Sequence, residues 1–123
     1  MAISAVPSIS AWGSPVLNYP YAKLTLTTTP VAITTTTYAM LTTDTVLLFQ
    51  GASACAVTLQ DITSQIGNTI LLVNLTAFAI TSALADVLPL GSLVAGTAIL
   101  SATVGKWALM QFNGTYWQII ANN

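Results

Sequence analysis

Five side chains in 123 residues carry a formal charge: Lys23, Lys106, Asp44, Asp61 and Asp86. Arg, His and Glu are absent, and Thr and Ser supply most of the polarity. A soluble monomer devotes about a quarter of its residues to charge. A chain this neutral has to cover much of its surface, with lipid, with copies of itself or within a larger assembly. The net charge of -1 opposes association of copies only weakly.

The same scarcity removes several kinds of chemistry. Without a basic stripe there is nothing to neutralise phosphates, so nucleic acid is not an expected partner. Without His there is no Ser-His-Asp or Cys-His arrangement. Asp44, Asp61 and Asp86 are far apart in sequence, and each has a plain reading: a strand-start or turn residue, a helix cap and a turn residue. They match no calcium-loop spacing, and no His/Cys cluster or glycine-rich phosphate loop offers a metal or cofactor site. The expectation is a non-enzyme with no cofactor. Cys55, the single cysteine, reads as a small buried hydrophobe.

A membrane hairpin can be drawn over Ile70–Ala85 and Val87–Val104, but each segment falls short of the ~20 apolar residues a span needs. Thr, Ser and Asn interrupt both, Pro89, Gly91 and Gly96 break the second, and no Lys/Arg cluster would set orientation. A small membrane protein is therefore the weakest reading. The opening MAISAVPSISAWG lacks the basic and continuously apolar parts of a secretory leader.

Residues 1–23 differ from the rest. Pro7, Pro15, Pro20 and Gly13 exclude a long helix or a central strand. The segment is still too apolar to be a solvated linker. Trp12, Pro15, Tyr19 and Tyr21 are candidate anchors onto a partner surface, since aromatics concentrate at such contacts. It reads as an irregular N-terminal arm preceding a β-structured domain at 24–123.

From Lys23 onward the pattern is β. Leu24 and Leu26 alternate with Thr25 and Thr27, the period of a strand with one wet face. Thr34–Tyr38 suits an exposed strand or edge. Asp44–Gln50 and Ala54–Gln60, joined through Gly51–Ser53, predict a β-hairpin or meander. Gln60–Asn68 predicts one helical turn, capped by Asp61 or Thr63 and ended by Gly67. Strands are expected over Thr69–Leu75, Phe78–Ala83, Ala98–Thr103 and Lys106–Phe112, with turns around Asp86–Gly96. Asn113-Gly114 predicts a two-residue turn closing a C-terminal hairpin. Runs such as VLLF and ILLV are apolar on both faces, which implies burial between sheets or between subunits. Trp107, Tyr116 and Trp117 also admit a carbohydrate-stacking surface, although aromatic packing within the hairpin explains them too. Asn74-Leu75-Thr76 and Asn113-Gly114-Thr115 fit the glycosylation triplet. No exact internal repeat is visible.

Taken together, TTDTVLLF, AVTLQDITSQIGNTILLVN, AFAITSA and NGTYWQII, from about Thr42 to Ile120, resemble a domain of bacteriophage virion proteins. These are tail-fibre and spike subunits and small head-decoration or head-fibre proteins. The closing GTYWQII carries the resemblance furthest. Gln60 departs from it, standing where a proline is common, and the middle turn lacks an Asp-Gly. The resemblance implies a homotrimeric, all-β appendage: a compact β-sandwich or barrel-like domain with a closing hairpin. Expected partners are then itself and other virion proteins of capsid or tail. The arm would attach a short head fibre, decoration protein or tail fibre to the particle, which is assembled in the host cytoplasm. A host-adhesion module that binds a surface glycan for host attachment is the alternative.

Overall fold

The computed structural model describes residues 17–19, 22–24 and 29–123, the first two stretches as backbone alone. The first strands, β1 (Leu17–Tyr19) and β2 (Ala22–Leu24), form an antiparallel two-stranded sheet of their own. The segment expected to be an irregular arm thus contains a short hairpin, and the expected boundary at residue 24 falls inside β2.

The remaining strands are β3 (Val31–Ile33), β4 (Thr37–Ala39), β5 (Val46–Phe49), β6 (Cys55–Thr58), β7 (Thr69–Asn74) and β8 (Ile80–Ser82). They continue as β9 (Val87–Leu88), β10 (Ala98–Leu100), β11 (Trp107–Phe112) and β12 (Trp117–Asn122). One sheet has the order β3-β5-β7-β11-β12-β9 and the other β10-β8-β6-β4. The chain is all-β, with no α-helix among the described residues.

From β3 to β10 the chain alternates between the two sheets. From β3 to β8, strands two apart in sequence pair in parallel: β3 with β5, β5 with β7, β4 with β6, and β6 with β8, whereas β9 leaves this order and lies parallel to β12. Each pass through both sheets is one coil of a solenoid-like stack. Val31 lies beside Leu47 and Val46 beside Leu71. These offsets differ, which is why the stacking leaves no readable repeat in the sequence.

The predicted hairpin over Asp44–Gln60 does not form. β5 and β6 lie in opposite sheets, and the Gly51–Ser53 turn carries the chain across as an arch. Arches stack closely here: a Cβ on Gly51 would sit 2.9 Å from the Thr34 carbonyl oxygen. The physical reason is that both strands need two neighbours and one common core. β5 bonds to β3 and β7, and β6 to β4 and β8, while Leu47, Phe49, Cys55 and Val57 all face inward.

The core lies between the sheets and runs through Ile33, Leu47, Leu72, Ile80, Met110 and Trp117. Asn74 is fully buried in it and fully bonded. Its Nδ2 donates to the carbonyls of Phe78 (2.8 Å) and Ser101 (3.0 Å), and its Oδ1 accepts from the Thr76 N–H (3.0 Å) and hydroxyl (2.8 Å). It clips two neighbouring arches together. With its amide consumed in this way, the triplet at Asn74 is not an available glycosylation acceptor.

Two local expectations also change. The helical stretch is a single 3-10 turn, Thr63–Gln65, preceded by Ile62 with no side-chain cap bond, and Gly67 ends it at φ +84. The closing hairpin forms between β11 and β12, but its loop is longer than two residues, because Phe112 pairs with Trp117. The Asn113 Oδ1 accepts the N–H groups of Thr115 (3.0 Å) and Tyr116 (2.8 Å). The side chain replaces the backbone carbonyl in the turn and moves the tip to Gly114, at φ +101, and Thr115.

Candidate functional site

Two surfaces of the stack are apolar. On the outer face of the six-stranded sheet, Ala32, Leu48, Val73 and Trp107 form one cross-strand row. Val46, Leu71, Leu109 and Ala121 form the next. Most of these side chains are half-buried, and none is ionisable. The second surface is the connection from β9 to β10. Leu93 is 94% exposed, Val94 76% and Leu90 53%. The connection is held in shape: Val87 and Gly96 exchange backbone bonds of 3.0 and 2.8 Å at its base. Ser92 N–H donates to the Pro89 carbonyl (3.0 Å), and Val94 N–H to the Ser92 hydroxyl (3.1 Å). Sequence reading treated this stretch only as turn-rich. The signal available was the absence of any charge between Asp86 and Lys106 together with three large apolar residues among turn formers.

The predicted site residues distribute as follows. Trp12, Pro15 and Tyr21 lie outside the described residues, and Tyr19 falls in β1, with its side chain outside them. Trp117 is fully buried and stacks at a tilt on Phe112, with ring centroids 5.3 Å apart. Trp107 sits at the opposite end of the hairpin on the outer face, and Tyr116 is half-buried at the tip. The three aromatics thus share no surface on which a sugar could stack, and Trp117 serves the core.

The acidic residues form two separate arrangements. Asp44, buried, accepts from the Tyr38 hydroxyl (2.7 Å) and the Leu41 N–H (2.8 Å). Loss of water around the phenol, then the bond to and charge of Asp44, push Tyr38 up to about 12. Asp86 is also buried and accepts from the Ser82 hydroxyl at 2.5 Å through Oδ1, while its Oδ2 has no donor. Trp117 gathers the surrounding backbone. Its main-chain N–H donates to the Asp86 carbonyl (2.8 Å) and its indole N–H to the Gln60 carbonyl (3.3 Å). Asp61, the next residue after Gln60, is exposed, and its carboxyl meets that of Asp86. Two of the three aspartates that looked isolated are neighbours. Among the described residues no group of three or more His, Cys, Asp or Glu side chains could hold a metal. Cys55 is buried, and burial raises its thiol above the ordinary value, away from the reactive thiolate. No helix among the described residues is long and apolar enough to cross a membrane.

Comparison with protein-family models, with curated proteins and with solved structures found no match for the chain. The likeness to virion appendage domains therefore rests on the sequence segments named above. What the geometry itself offers is an uncharged, preformed surface suited to contact with another apolar surface.

Proposed function

We propose that this chain is a non-enzymatic structural protein of a bacteriophage particle, a subunit of a short head fibre, decoration or tail fibre that works by assembling with its own copies. The observation that carries the reading is the near absence of surface charge. Of the four formally charged side chains among the described residues, Asp44 and Asp86 are buried, leaving Asp61 and Lys106. The six-stranded sheet presents apolar residues on its outer face as well as its inner one. Covering such area contributes roughly 25 cal/mol per Å², with little repulsion to overcome. A homotrimer is the state the resemblance implies, and the arm carrying Trp12, Pro15, Tyr19 and Tyr21 is the proposed attachment to capsid or tail.

Sedimentation of the full chain at micromolar concentration tests the assembly. A trimer is expected, and stable single chains would overturn the reading. Removal of residues 1–22 tests the attachment: the shortened protein should still trimerise yet be missing from purified particles.

A further inference from the structure

The site around Trp117 holds two acidic groups and no visible compensation. Asp61 comes from the connection between β6 and β7, Asp86 from the head of β9, Ser82 from β8 and Trp117 from β12. The charged group acting on Asp61 is Asp86, and no Lys stands among its partners. Were both carboxyls ionised, like charges would face each other and Asp86 Oδ2 would stay buried without a donor. A bound cation fits poorly. Hard divalent ions take about six to eight oxygens, whereas the side-chain donors here are two carboxyls and one hydroxyl, beside an indole N–H that repels a cation. A single proton between the carboxyls removes the repulsion and gives the orphaned oxygen a charge-assisted bond.

We propose that Asp61 and Asp86 hold one proton in common, and that this proton latches the connection between β6 and β7 to the head of β9, so that the closing end of the stack is tight in acid and loosens as the pH rises. The surroundings agree. Asp61 belongs to an exposed part of the connection, so water screens it in part; partial desolvation of its carboxyl first, then the bond to and charge of Asp86, push it up to about 7, with the Trp117 indole N–H acting the other way. The sign follows from linkage. A carboxyl held above its ordinary value of 3.8 contributes its full stabilisation below that value. The contribution drains away as pH climbs from about 4 to about 7 and stays lost above. The latch does not depend on the assembly reading.

With only three aspartates in the chain, labelling Asp carboxyl carbons with ¹³C resolves each one by NMR. The Asp61–Asp86 pair should release its last proton near neutral pH. The folding constant from urea denaturation should fall roughly tenfold or more between pH 5 and pH 8. Asp61→Asn, whose amide can donate to Asp86 Oδ2 at every pH, should remove that fall. Ionisation of both carboxyls near the usual value of about 4, or an unchanged pH slope in Asp61→Asn, overturns the proposal. So does stabilisation by added calcium or magnesium at pH 8 that disappears in Asp61→Asn, because the pair would then hold a cation.

Discussion

Strands β3 to β8 pair in parallel within their sheets, whereas β10 joins β8, and β11 joins β7 and β12, in antiparallel fashion, with β9 lying parallel to β12 at the far edge. The antiparallel end is closed by one local turn, in which Asn113 supplies its own hydrogen bonds. The parallel part has no such economy. Every neighbouring pair there requires the chain to cross to the other sheet and return, and the arches need fixed polar residues to hold them. Tyr38 with Asp44 braces one arch, and Asn74 braces two at the junction with the closing end. The contrast teaches that one apolar core serves both parts, but the antiparallel end is closed by a local turn and the Phe112–Trp117 pair, whereas the arches of the parallel part are also fixed by buried polar groups.

Replacing Trp117 with Ala strikes the closing end hardest. It empties a fully buried site, removes the Phe112 contact and frees the Gln60 carbonyl. The expected loss is about 3–5 kcal/mol in chemical denaturation. Asn74→Ala tests the junction. It takes one donor from each of the Phe78 and Ser101 carbonyls, which keep the Thr76 hydroxyl and the Thr103 N–H, and leaves the Thr76 N–H without its acceptor. A loss of about 3 kcal/mol is expected, with hydrogen exchange quickening in both arches; a loss confined to one would break the proposed joint role. Tyr38→Phe is the mildest and stays within the parallel part. It removes one donor from buried Asp44, and about 1–2 kcal/mol should be lost at pH 7. The Tyr38 hydroxyl is held above its ordinary 10.0, at about 12. Its contribution is therefore full below about 10 and fades as pH rises toward 12. Wild-type protein should show that alkaline decline, and Tyr38→Phe should lack it.

Much of the strand content was legible because it is local. VLLF, CAVT, TILLVN and WALMQF all form strands close to where their apolar and β-branched patterns place them. The pairing was legible only at the C-terminal hairpin, where partners are a few residues apart. Two-sided apolar runs were read as a sign of burial between layers, yet they are equally the mark of parallel strands, and the two strands that carry them, β5 and β7, are parallel partners. At the site level, no pattern in the sequence marks Asp61 and Asp86 as neighbours, since 24 intervening residues and a full coil of the stack separate them. Trp117 was visible as an aromatic, but its burial was not, because alternation along β12 specifies two faces without saying which one meets the core.

By itself, the sequence determined that this protein is built of β-strands, that its last two strands form a hairpin and that its surface has almost no charge to keep copies apart. Those properties are set by residue type and by neighbours close along the chain. Only the tertiary structure decided which strands stand side by side, which tryptophan is buried and which two acids meet. Each of those depends on how the chain crosses between sheets, and a crossing is stabilised by contacts between residues that sequence spacing leaves far apart.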